Sequence, residues 1–243
     1  MKKLILAMSL AAAFSATGAA YADEAASDLS FNASVTSDYR YRGISQSRLA
    51  PALQGGADYV HKDTGFYAGT WLSTIKWTKD SGGGGDVEVD LYAGKRGDIA
   101  GGVSYDVGVL SYVYPSNGLK AVPGWSNANT TEVYGQLGYG PAYLKYSHSV
   151  TDLFGVPDSK NSGYLDIGAN FEVASGTTLN LHVGRQGIMN SSADYVDWKV
   201  GVTRDFGVVT GSLALVGTNI DTAGPDGKNL SKGGLVATIT KTF

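Results

Sequence analysis

Histidine and serine come together at one place in the sequence, Ser147-His148-Ser149. A histidine that contacts a serine hydroxyl could act as the general base for a nucleophile. Adjacent residues of a β-strand point to opposite faces of the sheet, so on a strand His148 would meet neither of its neighbours. A serine on a neighbouring strand stays an alternative partner, and a hydrolase is therefore kept as an alternative function.

Other motifs of catalysis and binding are weak. The chain has 0 Cys and 3 His, which excludes a cysteine nucleophile and disfavours a metal site. The glycine run at 82–85 lacks the Gly-Lys-Ser/Thr of a phosphate loop, and the acidic stretch at 221–227 lacks calcium-loop spacing. A net charge of -3 gives no electrostatic reason to bind nucleic acid. We predict no catalytic residue, no metal, no cofactor and no nucleic-acid partner.

The first 22 residues have the features of a secretory signal peptide. Lys2 and Lys3 precede a short apolar stretch, and Ala20-Tyr21-Ala22 fits the cleavage rule for small residues. Residues 1–22 are therefore predicted to be a signal peptide, and residues 23–243 to form the mature domain. No later stretch reaches the ~20 apolar residues of a membrane helix.

Apolar and polar residues alternate with a period of two along most of the mature chain, which predicts β-strands. In one example, Val196, Trp198 and Val200 share one face, and Asp197 and Lys199 share the other. Twelve such segments are expected, at 29–42, 51–61, 65–76, 86–96, 102–113, 131–139, 142–150, 163–173, 177–187, 194–204, 208–218 and 233–243. The third and fifth are less regular, so ten strands remain an alternative.

The connections between these segments alternate between short turns and long polar loops. Residues 62–64, 97–101, 140–141, 174–176 and 205–207 are short turns, whereas 79–85, 115–130 and 219–231 are long. Short turns at one end and long loops at the other are typical of outer-membrane β-barrels. A β-sandwich requires no such alternation. We therefore predict an all-β, 12-stranded antiparallel transmembrane β-barrel with short periplasmic turns and long extracellular loops.

Aromatic residues on the predicted lipid face gather near the short turns. Amphipathic rings are most stable at the level of the lipid headgroups, so these residues are expected to contact outer-membrane lipid there. They are Tyr59, Phe66, Tyr105, Tyr139, Phe171 and Phe243. Outer-membrane lipid and lipopolysaccharide are the predicted partners, and the oligomeric state stays open.

The C-terminal residue Phe243 ends an alternating segment, as in the signal that the outer-membrane assembly machinery reads. Lys241 departs from that pattern, because an aromatic residue is usual there. The assembly machinery is predicted to bind the chain through Phe243.

Five motifs stand out along the mature chain: SDYRYRGISQ at 37–46, GFYAGTW at 65–71, EVDLYAG at 88–94, YVYP at 112–115 and TEVY at 131–134. They resemble motifs of the TorF family of porin-like proteobacterial outer-membrane proteins, and the first is the most specific. The resemblance covers the mature chain. It implies an outer-membrane barrel with pore activity and brings no catalytic residue or substrate with it.

The polar faces of the segments predict the residues that line the lumen. Arg40 and Arg42 are expected to share one face of the first strand. The full set is Asp38, Arg40, Arg42, Asp58, Glu88, Asp90, Asp106, Glu132, Lys145, Asp166, Glu172, His182, Asp197 and Lys199. Nine acidic against four basic residues predict a weak preference for cations if water fills the lumen.

We predict passive diffusion of small polar solutes or ions through this lumen. Barrels of ~8 strands are filled by side chains and those of 16–18 enclose a channel, so twelve strands fit either case. A barrel that does not conduct and presents its loops to a partner is therefore the main alternative.

Overall fold

The computed structural model describes residues 28–243, so the predicted signal peptide at 1–22 lies outside the described residues. One short helix, α1 (Trp77–Asp80), and one 3-10 turn, Leu119–Ala121, occur among them. No helix within 28–243 is long and apolar enough to cross a membrane. The strands are β1 (Leu29–Thr36), β2 (Arg40–Tyr41), β3 (Ile44–Ser45), β4 (Ala52–Val60), β5 (Phe66–Thr74), β6 (Val87–Ile99), β7 (Val103–Val113), β8 (Thr130–Tyr139), β9 (Ala142–Ser149), β10 (Gly163–Ala174), β11 (Thr177–Gly187), β12 (Tyr195–Asp205), β13 (Thr210–Thr218) and β14 (Gly234–Thr242).

Twelve of these strands form a closed antiparallel barrel in which each strand pairs with its neighbours in sequence. β1 pairs with β14 on one side and with β4 on the other, and this closes the barrel. The registers are regular, with a single shift between Glu172 and Ala174 at the end of β10. The prediction of twelve strands is confirmed, and the ten-strand alternative is wrong.

Alternation along each strand separates an apolar outer face from a mostly polar inner face. On β12, Val196, Trp198 and Val200 are 36%, 43% and 46% exposed, whereas Asp197 and Thr203 are buried. Closure satisfies the backbone hydrogen bonds of every barrel strand, which lipid cannot do. The exposed apolar belt is therefore the surface that a bilayer would cover.

The third and fifth predicted segments are irregular because large apolar side chains point into the barrel there. Tyr67 and Trp71 on β5 and Leu110 on β7 are all buried. They belong to an aromatic cluster inside the barrel. The inner face is therefore not simply the polar face.

The two ends of the barrel differ as expected. The short-turn end carries the connections at 61–65, 100–102, 140–141, 175–176 and 206–209. The loop end carries those at 37–51, 75–86, 114–129, 150–162, 188–194 and 219–233. β1 begins and β14 ends at the short-turn end.

The first predicted strand, 29–42, is wrong in its second half. β1 ends at Thr36, and residues 37–51 leave the wall to form a loop that contains the small hairpin β2–β3. Asp38, Arg40 and Arg42 lie in this loop, so the two arginines do not share a face of β1. The residue at the hairpin turn, Arg42, has a φ of 45°, which a continuing strand does not allow.

Candidate functional site

Residues 37–51, called the inward segment, fold into the loop end of the barrel. Tyr39 and Tyr41 are buried against interior side chains, with Tyr39 packed edge-on to Trp71 and Tyr41 packed edge-on to Tyr112. The turn glycine, Gly43, has a φ of 83°. An added Cβ at Gly43 would lie 2.9 Å from Thr218 Cβ, so the turn requires a glycine in both conformation and space.

Arg42 ties the inward segment to the far wall of the barrel. Its Nη2 donates to both carboxylate oxygens of Glu132 on β8, at 3.0 and 2.8 Å. Its Nη1 donates to Gln186 on β11. The guanidinium also lies 4.0 Å from the ring centre of Tyr164 and 4.8 Å from that of Tyr41. Burial disfavours the charged form of Arg42, but the attraction of Glu132 together with that of the neighbouring tyrosines outweighs it, so the pKa of Arg42 lies above its ordinary value and the guanidinium stays charged.

Arg40 fixes the opposite side of the hairpin. Its Nε forms an ion pair with Asp38. Its Nη1 donates to the carbonyl oxygens of Gly43, Leu230 and Lys232, at 3.0, 3.1 and 3.1 Å. Arg40 therefore ties the inward segment to the last long loop, 219–233.

The carboxylate oxygens of Asp38 accept hydrogen bonds from other residues of the inward segment. Ser45 and Ser47 donate their hydroxyls to Oδ1 of Asp38, at 2.5 and 3.2 Å. Tyr39 donates to Glu88 on β6 at 2.6 Å. Burial, together with the nearby charge of Glu88, raises the pKa of Tyr39 well above its ordinary value, so the phenol stays a donor. The segment is therefore held by charged and hydrogen-bonded contacts on several strands.

A second network lies on the adjacent wall. The ring nitrogens of His182 lie 2.7 Å from an oxygen of Asp166 and 2.7 Å from an oxygen of Asp197. Tyr164 donates its hydroxyl to the other oxygen of Asp197 at 2.9 Å. These four side chains come from three neighbouring strands, β10, β11 and β12. Both nitrogens of His182 are engaged, so this histidine has no free atom for acid–base chemistry.

Nearer the short-turn end, tyrosines inside the barrel donate hydrogen bonds to two more carboxylates. Tyr92 donates to Asp58 at 2.5 Å, and Tyr67 donates to Asp106 at 2.6 Å. Each ring covers a glycine of the neighbouring strand: Gly69 is opposite Tyr92, and Gly94 is opposite Tyr67. An added Cβ at either glycine would lie closer than 3 Å to the ring it faces. The high glycine content of the chain therefore makes room for tyrosines inside the barrel.

One side of the interior carries small side chains. Gly201, Ser212, Ala214 and Thr238 face inwards from β12, β13 and β14. Between this wall and the inward segment lies a cavity of about 80 Å³. Its charged and polar lining includes Arg40, Arg42, His182, Asp197, Lys199 and Thr203. The interior is therefore filled by large side chains on the side of β5–β8 and leaves a small cavity on the side of β12–β14.

The predicted lumen residues occupy two regions of the structure. Asp38, Arg40 and Arg42 come from the inward segment. Ten come from the inner faces of barrel strands: Asp58, Glu88, Asp90, Asp106, Glu132, Lys145, Asp166, His182, Asp197 and Lys199. Glu172 shares the inner face of β10 but is exposed near the short-turn end, away from the networks above.

The predicted interface aromatics lie at the short-turn end of the barrel. Tyr105 is half-buried, and the other five are exposed, between 42% for Phe171 and 68% for Phe243. Trp198 and Tyr146 are exposed nearer the loop end.

His148 and its neighbouring serines point to opposite faces of β9, as the strand geometry requires. Ser147 and Ser149 are buried, whereas His148 is half-buried, with Nε2 3.3 Å from Oδ1 of Asn161. Ser149 donates to the carbonyl oxygen of Thr151 at 2.8 Å. Within residues 28–243, no group of three or more His, Asp or Glu side chains could hold a metal ion.

The sequence reasoning missed Arg96 and the interior tyrosines. Arg96 lies directly opposite Asp106, and its guanidinium is 5.5 Å from the ring centre of Tyr67. It is the last residue of the fourth predicted segment, 86–96, on the same face as Glu88 and Asp90, and β6 continues beyond it to Ile99. Tyrosines at the polar positions, such as Tyr92 between Asp90 and Gly94, were the available signal.

The fold is that of bacterial outer-membrane β-barrels, and the solved structures that resemble it are mostly porins and channels. The KdgM porin, solved in complex with disordered oligogalacturonate, has a TM-score of 0.53 and 5% identity over 88% of this chain and 97% of that chain. LpxR from Salmonella typhimurium has a TM-score of 0.45 and 13% identity, over 88% and 99%. OccD3 of Pseudomonas aeruginosa has a TM-score of 0.43 and 12% identity, over 90% and 66%. At 5% identity the likeness to KdgM supports the barrel fold and nothing narrower.

A family model described as "Bacterial protein of unknown function (Gcw_chp)" matches residues 20–243. The chain belongs to this family. A search of curated proteins finds no match.

Proposed function

We propose that the protein is an outer-membrane channel for passive diffusion of small polar solutes or ions. One observation carries the proposal: a wall of small side chains lies opposite a charged inward segment, with a cavity of about 80 Å³ between them. Interiors that only stabilise a barrel are filled on all sides. Here the bulky buried side chains are concentrated on β5–β8, and the proposed path follows the small side chains of β12–β14.

The inward segment would act as the constriction of this channel. It is anchored on opposite sides of the barrel by Arg42 with Glu132 and by Arg40 with the loop at 219–233. A constriction with fixed partners keeps one width, so it favours small solutes over large ones. Removal of the segment should widen the path.

The proposal places the barrel in the bacterial outer membrane, with the short-turn end in the periplasm. Residues 1–22 would be removed on export, and Phe243 would be read by the assembly machinery. Outer-membrane lipid and lipopolysaccharide would cover the exposed apolar belt and its aromatic residues. The narrower resemblance to the TorF family is part of this proposal, and so is the absence of enzymatic activity.

The ion preference of the channel depends on the charges that line the lumen. The excess of nine acidic over four basic residues predicts a weak preference for cations. That count treats every carboxylate as free to attract an ion, whereas Asp38, Glu132 and Asp197 each have charged partners inside the barrel. Reversal potentials in a salt gradient measure the preference directly.

The experiment is planar-bilayer recording on residues 23–243 folded in detergent. Discrete current steps, smaller than those of a 16-stranded porin, are expected. Silence from a barrel that retains its heat-modifiable gel mobility would overturn the proposal.

A barrel that does not conduct is the second candidate. It is favoured by the buried cluster at the loop end, where Tyr41, Tyr112 and Phe154 pack edge-on with ring centres 5.1 to 5.5 Å apart. Such packing could close the barrel and present the long loops to a partner.

A further inference from the structure

The cavity between the inward segment and β12–β14 has an unequal supply of donors and acceptors. Arg40, Arg42 and Lys199 bring basic side chains to its lining, and Asp197 is the one carboxylate among the lining residues. Positive side chains offer only donors, so what matters is whether the nearby carboxylates leave acceptors free.

The carboxylates at the cavity are already engaged. Asp197 accepts from Tyr164 at one oxygen, and its other oxygen lies 2.7 Å from Nε2 of His182. The two carboxylates bonded to Arg40 and Arg42 have the partners described above. A cation in the cavity would therefore have to displace an existing partner.

Donors, by contrast, are left over. Lys199 makes no hydrogen bond or ion pair with any residue in 28–243, although its side chain lines the cavity. The hydrogen bonds of Arg40 to residues in 28–243 use its Nε and Nη1, which leaves Nη2 without a hydrogen bond there. Gly234 lies beside Nη2 and has no side chain to fill the space. The carboxylates that attract Lys199, those of Asp166 and Asp197, are bonded to His182 and Tyr164 rather than to its ammonium, so water or an anion is left as its direct hydrogen-bond partner.

We propose that this cavity is a binding site for a small anion, a carboxylate group or an inorganic oxyanion, held by Lys199 and Arg40. The site rests on the proposed channel and specifies its solute class, because a solute that follows the narrow wall passes Lys199. A volume of about 80 Å³ accommodates several water-sized groups. It accommodates a carboxylate group. The narrowest part of the path therefore favours anions, in contrast to the count of charges along the whole lumen.

Binding is tested without reference to conduction, by line broadening of carboxyl-labelled ¹³C-acetate added to the folded barrel. Broadening is expected with the wild type and with Lys199→Arg, and its loss is expected with Lys199→Met. Lys160→Met, on an exposed loop, removes the same charge elsewhere and should leave the broadening unchanged. Equal broadening with the wild type and with Lys199→Met would overturn the site.

Reversal potentials then test the consequence for permeation. One unit charge about 6 Å from the path, in a medium as polar as water, favours an anion and disfavours a cation by about threefold each, so it changes the ratio of anion to cation permeability about tenfold. Lys199→Met should lower the ratio by that factor, and Lys160→Met should not change it. A silent barrel that still broadens acetate through Lys199 would refute the channel and keep the site. A conducting barrel without Lys199-dependent broadening would refute the site and keep the channel.

Discussion

The ion pair between Arg42 and Glu132 offers the sharpest test of how the inward segment is held. We consider the single variants Arg42→Gln and Glu132→Gln and the double variant that combines them. Both side chains are nearly inaccessible, at 6% and 3% exposure, and Nη2 of Arg42 contacts both oxygens of Glu132. Each single change therefore leaves one buried charge without its partner.

The magnitude follows from that burial. Loss of one partner of a buried pair costs about 3 to 5 kcal/mol, because the remaining charge stays desolvated. Arg42→Gln also loses the contact with the ring of Tyr164, which adds about 1 kcal/mol. The double variant leaves no unpaired charge, so its cost should fall short of the sum of the single costs by about 2 kcal/mol or more.

The assay is urea unfolding of the barrel in lipid vesicles, followed by tryptophan fluorescence and gel mobility. Arg185 and Asp194 provide the control cycle, because they form an exposed ion pair at 3.7 Å. Exposed pairs couple by about 1 kcal/mol or less. Strictly additive costs for Arg42 and Glu132, or a coupling no larger than that of the control pair, would refute the reasoning.

Further predictions concern the wall, the C-terminus and the outer face. Gly94→Ala places a Cβ 2.3 Å from the hydroxyl oxygen of Tyr67 and 2.5 Å from a backbone oxygen, so it should destabilise the barrel by about 1 to 3 kcal/mol in urea, whereas Gly135→Ala, with its nearest atom at 3.9 Å, should change little. Deletion of Phe243 should slow insertion into the outer membrane, measured as unfolded precursor after a pulse of synthesis, and an unchanged rate would contradict a role in assembly. His148→Ala should leave phospholipid turnover at the background level of the wild type, and a wild-type turnover that this change abolishes would revive the hydrolase alternative.

The barrel could be predicted from the sequence because its physics is local and repeated. Each strand must be apolar outside and must end in a turn, and both requirements leave a period-two pattern and glycine-rich breaks in the chain. β10 and β12 satisfied the pattern along most of their length. The pattern failed where the interior is aromatic, as at Tyr67 and Trp71, because alternation identifies two faces but not which contacts fill the inner one.

The inward segment could not be predicted for a related reason. Residues 37–42 alternate as a strand would, and the turn at Gly43 is encoded by one glycine. What turns this stretch inwards is a set of contacts with Glu88, Glu132 and Leu230, which are distant in sequence. A single sequence predicts that Arg40 and Arg42 are polar, but not that they face opposite walls of the barrel.

The central claim, that solutes pass along the inner face of β13 beside the inward segment, is tested most directly with a single cysteine. The chain has 0 Cys, so Ser212→Cys introduces one thiol on the inner wall and Leu215→Cys introduces one on the outer face. A charged methanethiosulfonate reagent added to a conducting bilayer should reduce the current through the Ser212→Cys barrel and leave the Leu215→Cys barrel unchanged. An unaffected current through a Ser212→Cys barrel whose thiol is fully modified would contradict the account.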